Sequence, residues 1–518
     1  MTLLTNRSVA QADDTPQWRP LLHYTPQRNW MNDPNGPFFH KGVYHLFYQY
    51  NPEAPEWGNM SWGHATSTDM LHWHEQDVAL SFSETKDIFS GTVVVDTHNT
   101  SGLGTLDNPP LVALYTSVFK HNASDTPDVQ AQSLAYSLDD GRTWKSYHKD
   151  PVLTLSPASP HFRDPGVFWY EPGGYWVMAT VVANAPKVKL YKSTNLTDWT
   201  WLSDFGPVGL VRPEILWEMP SLFPLPLDGN ATQPKWVLML GVNPWGIAGG
   251  SGSLYFVGSF DGTTFRPEGL LPEGSGPAAY DWVDHGADHY AAIVFAGLPA
   301  ARPVTIGWMS NWDYASHVPT APWKGQMTLP MTMALRTIDG RPQLCLTPDG
   351  HYTALVATHA ALSFDGMRLS SARRLLPETV RGQVMDIDMR MHMHGADRAG
   401  ICVRATVDGH SGTEIVYDMK KQTLTVDRSR SGQTDFSPGF NHEHSVSMPA
   451  PTGEIALHVI VDRNSVEVLS RNGSVVITDL VFPPADADRI MIFSENGMTE
   501  FSHMKVTLLD HNPEQGGK

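Results

Sequence analysis

Four stretches of this chain echo one another. They are Ala65-Thr66-Ser67-Thr68-Asp69-Met70-Leu71-His72-Trp73, Ala135-Tyr136-Ser137-Leu138-Asp139-Asp140-Gly141-Arg142-Thr143-Trp144, Tyr191-Lys192-Ser193-Thr194-Asn195-Leu196-Thr197-Asp198-Trp199 and Val257-Gly258-Ser259-Phe260-Asp261-Gly262-Thr263-Thr264-Phe265. Each reads as the end of a strand, a Ser/Asp-rich hairpin turn, and an aromatic residue that opens the next strand. Ser67, Ser137, Ser193 and Ser259 lie 70, 56 and 66 residues apart. That period suits a four-stranded propeller blade with long loops, and four copies with sequence on either side predict five blades.

The rest of the chain agrees with an all-β reading. Gly42 to Tyr50 has the composition of a half-buried strand, and Val93–Val95, Leu111–Tyr115 and Trp176–Ala179 read as short buried strands between turns. No convincing amphipathic helix occurs before about residue 330. Past Pro330 the texture changes, with Gly340, Pro342, Pro348 and Gly350 marking a boundary. Beyond it, Met385-Asp386-Ile387-Asp388-Met389-Arg390-Met391-His392-Met393-His394 alternates apolar and polar without a break, the mark of a strand with one buried face. Thr413 to Asp418 and Thr423 to Asp427 fit a hairpin, and Asn472-Gly473 sits where another would turn. The expected architecture is a five-bladed β-propeller over residues 18–337, a linker over 338–358 and a C-terminal β-sandwich over 359–510, with a frayed tail from Asp510 onward.

Composition narrows the partners. The formal net charge of the 518 residues is −18 and there is no long Lys/Arg run, which argues against nucleic acid or an anionic membrane. No apolar run is long enough to span a bilayer. The two cysteines, Cys345 and Cys402, rule out a disulfide scaffold and leave their pairing open. Asn-X-Ser/Thr triplets begin at Asn6, Asn59, Asn99, Asn122, Asn195, Asn230 and Asn472, which favours a secreted glycoprotein. Met1 to Asp14 is polar, so no signal peptide is expected within this chain. Asp284-His285 with Asp288-His289, and His442-Glu443-His444, carry ligand-type residues without a closed metal-site spacing and read as surface or structural groups.

Chemistry gathers elsewhere. His23 to Gly36 is a packet of aromatic, amide and carboxylate groups containing Asp33-Pro34 and Asn35-Gly36, both strong turn formers. A second Asp-Pro follows in Phe162-Arg163-Asp164-Pro165, and Glu218 stands in Trp217-Glu218-Met219-Pro220. Three acids, each followed closely by proline and flanked by aromatics, are hard to explain as unrelated turns. Glycosyl transfer through an oxocarbenium-like transition state needs one carboxylate nucleophile and one protonated acid at the leaving oxygen. Asp33 suits the first role, with Asn32, Asn35 and turn N–H groups to stabilise its charge. Glu218 suits the second, if Trp217, Met219 and Pro220 form an apolar wall beside it. Asp164 beside Arg163 reads equally as a salt bridge or as a holder of sugar hydroxyls.

These motifs, in their order, resemble glycoside hydrolase family 32, the β-fructofuranosidases. Phe47-Tyr48-Gln49-Tyr50-Asn51-Pro52, Trp57-Gly58-Asn59, Phe89-Ser90-Gly91, Gly307-Trp308-Met309-Ser310-Asn311-Trp312 and Val461-Asp462-Arg463-Asn464-Ser465-Val466-Glu467-Val468 extend the resemblance over nearly the whole chain. It is closest to exo-acting fructan hydrolases. The resemblance implies the same propeller and sandwich, with Asp33 as nucleophile, Asp164 as transition-state stabiliser and Glu218 as acid/base. Asn32, Gln49, Trp57, Phe89, Ser90, Arg163 and Trp312 would line the terminal fructose subsite. No cofactor or metal is implied, and the partner is a fructose-containing oligo- or polysaccharide. A retaining mechanism then predicts carboxyls of Asp33 and Glu218 about 5–5.5 Å apart. Two positions depart from the family pattern: Met219, where cysteine is usual, and Pro37, where leucine is common. Asp288 and Tyr290 fall in a segment that resembles one near the sugar pocket. The alternatives are a fructosyltransferase or, less favoured, a non-catalytic fructan-binding relative. The Asp-box form of Ser137 to Trp144 also fits sialidase-type propellers, but no arginine cluster with a tyrosine nucleophile accompanies it.

Overall fold

The repeated turns owe their shape to their own side chains. In the computed structural model, which describes residues 16–120, 128–209, 212, 214–269, 271–299, 302–440 and 442–510, each joins the third and fourth strands of a blade. In the first, the Ser67 hydroxyl accepts the N–H groups of Asp69 and Met70, and Asp69 accepts those of Leu71 and His72. Trp73 closes the turn by donating its indole N–H to Met70 O at 2.9 Å. Trp144 and Trp199 do the same to Gly141 O and Leu196 O. Met70, Gly141, Leu196 and Gly262, at equivalent places, all have positive φ. The Ser-x-Asp/Asn pattern thus satisfies a turn's backbone locally, which is why it recurs blade after blade.

The innermost strands of the blades are Asn29–His40, Lys86–Val95, Phe162–Tyr170, Leu216–Leu227 and Tyr290–Val294. Each touches the next and the last touches the first, so the five blades close into a ring. Trp323–Lys324 adds in parallel to Asn29–Trp30, tying the end of the propeller to its beginning. Crowding at the axis explains two glycines. A Cβ on Gly36 (φ +41°) would lie 2.5 Å from the Val93 backbone, and one on Gly166 would lie 2.2 Å from Pro220 O. Neighbouring inner strands therefore meet backbone to backbone.

All five inner strands are bulged near their N-terminal ends. Register slips fall between Met31 and Pro34, Phe89 and Gly91, Arg163 and Gly166, Glu218 and Ser221, and Tyr290 and Ile293. Asp33-Pro34, Asp164-Pro165 and Met219-Pro220 sit in these slips. Proline is tolerated there because a bulged residue needs no ladder N–H. The turn expected at Asp33 to Gly36 is thus an interruption inside a twelve-residue strand.

The second unit is an eleven-stranded antiparallel sheet folded on itself into a sandwich. Met385–His394 lies in its middle, with Met385, Ile387, Met389, Met391 and Met393 in the core. Thr413–Asp418 pairs with Thr423–Asp427, and Asn472-Gly473 turns between Ser465–Ser470 and Val476–Leu480. Residues 341–348 form a strand on the last propeller blade, and Gly350–Ala357 forms a helix capped by Asp349. Cys345 and Cys402 are free and buried. The acceptors Asn6 and Asn122, the N-terminal residues 1–15 and the tail past Asp510 lie outside the described residues.

Buried polar groups join the two units. Asp462 accepts the backbone N–H groups of Leu21 and Leu22 and pairs with His23 Nδ1 at 2.8 Å, while His23 Nε2 meets Glu467 at 3.2 Å. Burial would lower the pKa of His23, but Glu467 and Asp462 outweigh it and raise it to about 9. The Val461–Val468 motif is therefore the clamp on the segment that leads to Asp33.

Candidate active site

Each bulge turns a side chain toward the axis. Asn32, Asp33, Gln49, Trp57, Phe89, Ser90, Arg163, Asp164, Glu218 and Trp312 line one cavity of about 350 Å³, together with Gln130, Pro160, His161 and Leu216. The ten residues assigned from the sequence to catalysis and to the fructose subsite all stand on its wall. A groove of about 420 Å³ between the helix and the sandwich is larger. Its buried carboxylate Asp386 is engaged by Tyr352 (2.9 Å) and His458 (2.5 Å), which makes it a structural link.

Asp33 sits on the floor, with one oxygen accepting from the Ser90 hydroxyl at 3.2 Å and the other buried without a protein partner. Asn32 is oriented by the Trp30 indole N–H, which donates to its Oδ1 at 2.8 Å. Burial, then the charge of Glu218, raises the Asp33 pKa to about 7 against the pull of Asn32 and Ser90. Asn35, expected to help Asp33, instead accepts the Gly91 N–H and ties the first two blades together. The Gln49 amide nitrogen is also buried and unpaired at the cavity wall.

Glu218 is held on both sides. Arg163 donates to its Oε1 from Nε (3.0 Å) and Nη2 (2.8 Å), and the Tyr290 hydroxyl donates to Oε2. The expected apolar wall is absent, because successive residues on a strand point to opposite faces. Trp217 faces away, stacked on Phe205 at 6.1 Å, and Met219 packs with Trp30, Tyr290 and Trp308.

Asp164, at φ 62°, accepts the Met219 N–H at 3.1 Å, and its own N–H donates to Thr116 Oγ1 at 2.9 Å. Burial raises its pKa well above the usual carboxylate range; Arg163, 3.8 Å away, opposes this, and Glu218 and Asp33 add to it. Three carboxyls therefore share one cavity with one guanidinium. Trp57, 51% exposed, stands at the mouth edge-on to Phe89, and Trp312 lies over Trp30 at 5.9 Å. Both present ring faces suited to sugar C–H groups.

Some neighbours had no signal in the sequence. Gln130 and His161 lie in no motif, and Gln130 reaches the site by accepting from Arg163 Nη1 at 3.4 Å. Tyr290 was placed near the pocket only by its segment. Asp288, from the same segment, is fully buried against Arg428 of the sandwich and does not line the cavity. Asp284 is likewise spent on the seam between the units, and His444 pairs with Asp479 inside the sandwich. Among the described residues no group of three or more His, Cys, Asp or Glu is arranged to hold a metal ion.

Comparison with known proteins places this geometry. Residues 23–348 match the glycosyl hydrolases family 32 N-terminal domain, and residues 356–507 match the family's C-terminal domain. An extracellular exo-inulinase of Aspergillus ficuum is 40% identical over 524 residues, covering 96% of each chain. A levanase of Bacillus subtilis is 38% identical over 97% of this chain and 73% of its own length. The crystal structure of exo-inulinase from Aspergillus awamori superimposes with a TM-score of 0.88 at 38% identity, covering 96% of this chain and 98% of that one. Motifs, fold and matches along nearly the whole length agree, and the chain belongs to glycosyl hydrolase family 32.

Proposed function

We propose that this glycoside hydrolase releases terminal β-D-fructofuranosyl residues from fructans and sucrose with retention of configuration. The observation that carries the reading is the convergence of Asp33, Asp164 and Glu218, from three different inner strands, on one cavity in which Arg163 faces Asp164 and Glu218. The names of the relatives, exo-inulinase and levanase, support hydrolysis of fructans over transfer of fructose to a second sugar.

In the proposed reaction the Asp33 carboxylate attacks the anomeric carbon of the terminal fructose. The glycosidic bond breaks as Glu218 gives its proton to the leaving oxygen, leaving a fructosyl ester on Asp33. Water then enters, loses a proton to Glu218 and displaces Asp33, which restores both groups. Asp164 strengthens its bonds to sugar hydroxyls as positive charge develops on the ring. Asn32, Gln49 and Ser90 supply further polar contacts, Trp57, Phe89 and Trp312 the apolar ones. The division of labour follows the fold, with chemistry in the propeller (18–337) and the sandwich (359–510) joined to it through 338–358.

We also assign the chain to the extracellular space. The matched exo-inulinases of Aspergillus ficuum and Aspergillus niger are extracellular. Asn230 and Asn472 suit glycan attachment: both are exposed, and in each the carbonyl oxygen accepts the N–H and hydroxyl of the Thr232 or Ser474 two residues on.

Product analysis on sucrose, inulin and levan at low and high substrate tests the reading. Free fructose is the expected first product; long oligosaccharides appearing before it would overturn hydrolysis in favour of transfer.

A further inference from the structure

The segment that leads into the short inner strand carrying Tyr290 is bonded along its length to the sandwich. His285 N–H donates to Val476 O at 2.8 Å and Asp288 N–H to Thr478 O at 3.1 Å, as in a short stretch of shared sheet. Asp284 accepts the Thr478 N–H and hydroxyl at 3.0 and 2.6 Å, and the Ala287 N–H donates to Asp479 at 3.1 Å. A Cβ on Gly286 would lie 2.2 Å from Thr478 O, so no side chain separates the two backbones. At the centre, Arg428 Nη1 donates to Asp288 Oδ2 at 2.7 Å, and both side chains are fully buried. Leu480 N–H and the Tyr314 hydroxyl complete the bonds to Asp288. Asp479, paired with His444, lies 3.8 Å from Arg428.

This seam ends in the active site. Two residues past Asp288, Tyr290 donates to Glu218, and the strand bulges immediately afterwards at Ala291 (φ 54°). The Trp312 loop is fixed from the same place, since Asn311 donates to Ala287 O at 2.8 Å and Tyr314 to Asp288. A buried ion pair contributes little net stability but is costly to break from one side.

We infer that Arg428 and Asp288 are positioning residues for the reaction, and that the sandwich sets the placement of Glu218 by holding Tyr290 against it. The inference rests on the assignment of Glu218 as acid/base. The seam couples two units so that the acid and the Trp312 platform are registered against blades one to three, which carry Asp33 and Asp164.

A double-mutant cycle in the full-length enzyme tests it. Asp288→Asn combined with Arg428→Gln removes both charges while keeping polar groups in place, and Tyr290→Phe removes the contact to Glu218. Each is expected to lower kcat on sucrose on the order of 10–100-fold with KM within about twofold. Combined, they are expected to lose clearly less than the product of the two single losses, because both act on the placement of Glu218. Losses that multiply, or an unchanged kcat with only a lower Tm, overturn the inference. Should the charge-free pair fail to fold, Asp284→Asn loosens the same seam at Thr478 and is read in the same cycle. Glu218→Gln is measured alongside: wild-type rates there sink the acid/base assignment itself, whereas an inactive Glu218→Gln with an additive cycle sinks only the role of the seam.

Discussion

Arg163 and Glu218 are locked together across the gap between the third and fourth inner strands. Nε and Nη2 of the guanidinium both donate to Glu218 Oε1, at 3.0 and 2.8 Å, while Asp164 lies 3.8 Å from Nε. One cation therefore serves two carboxyls. Arg163→Met is expected to lower kcat/KM by on the order of 10²-fold or more. Because Arg163 is the main charge opposing the raised pKa of Asp164, the variant should also need a higher pH to reach its best rate. Steady-state rates across pH check both; a full rate with an unmoved profile contradicts the assignment.

The floor carboxylate has a cost that depends on pH. Folding raises the pKa of Asp33 from 3.8 to about 7, so the folded state holds a proton that the unfolded state has lost within that window. Stability contributed at this site therefore falls as pH rises from about 4 to 7. Asp33→Asn should raise the melting temperature at pH 8 and change it little at pH 4 while abolishing turnover. Calorimetry at the two pH values checks the sign.

His23 acts in the same sense but in a higher pH window. Its pKa is raised to about 9 by Glu467 and Asp462, so the stability it lends the seam is fully present below about pH 6.5 and is lost as pH rises through 9. His23→Gln is expected to flatten the fall in melting temperature between those limits. An unchanged slope would assign it to other groups.

Trp57 stands half out in solvent at the mouth, touching Phe89 edge-on. Removing it takes away a stacking surface and little of the core. Trp57→Ala should raise KM for inulin by about tenfold, a loss of about 1.4 kcal/mol, with stability within about 0.5 kcal/mol of wild type. Denaturant melts and initial rates separate the two effects.

The parts of this molecule that could be read from the sequence are those whose structure is local. The Ser-x-Asp/Asn turns satisfy their own backbone, so Ser67, Ser137 and Ser193 announced the blades directly. The alternation from Met385 to His394 announced a sandwich strand for the same reason. Asp33, Asp164 and Glu218 were visible as acids beside proline and aromatic residues, whereas Gln49, Trp57, Phe89, Ser90 and Trp312 came only through the resemblance to family 32. What stayed hidden depends on partners far along the chain. Asp-Pro and Asn-Gly suggested a turn, because the bulge that accommodates them is defined only by the register against Val43–Asn51. Adjacency in sequence put Trp217 beside Glu218, whereas the strand sends them to opposite faces and brings Arg163 and Tyr290 instead. Asp288 and Asp462 serve the seam between propeller and sandwich, a surface that neither half shows alone.

The central claim is a covalent step at Asp33 with Glu218 as its acid and base, which requires carboxyls about 5–5.5 Å apart. Mass spectrometry of Glu218→Gln quenched during turnover of an activated fructoside tests it most directly. The account predicts one fructosyl unit added to the peptide carrying Asp33, and β-fructofuranose as the first anomer released by the wild-type enzyme. An adduct on another residue, or the α-anomer released first, contradicts it.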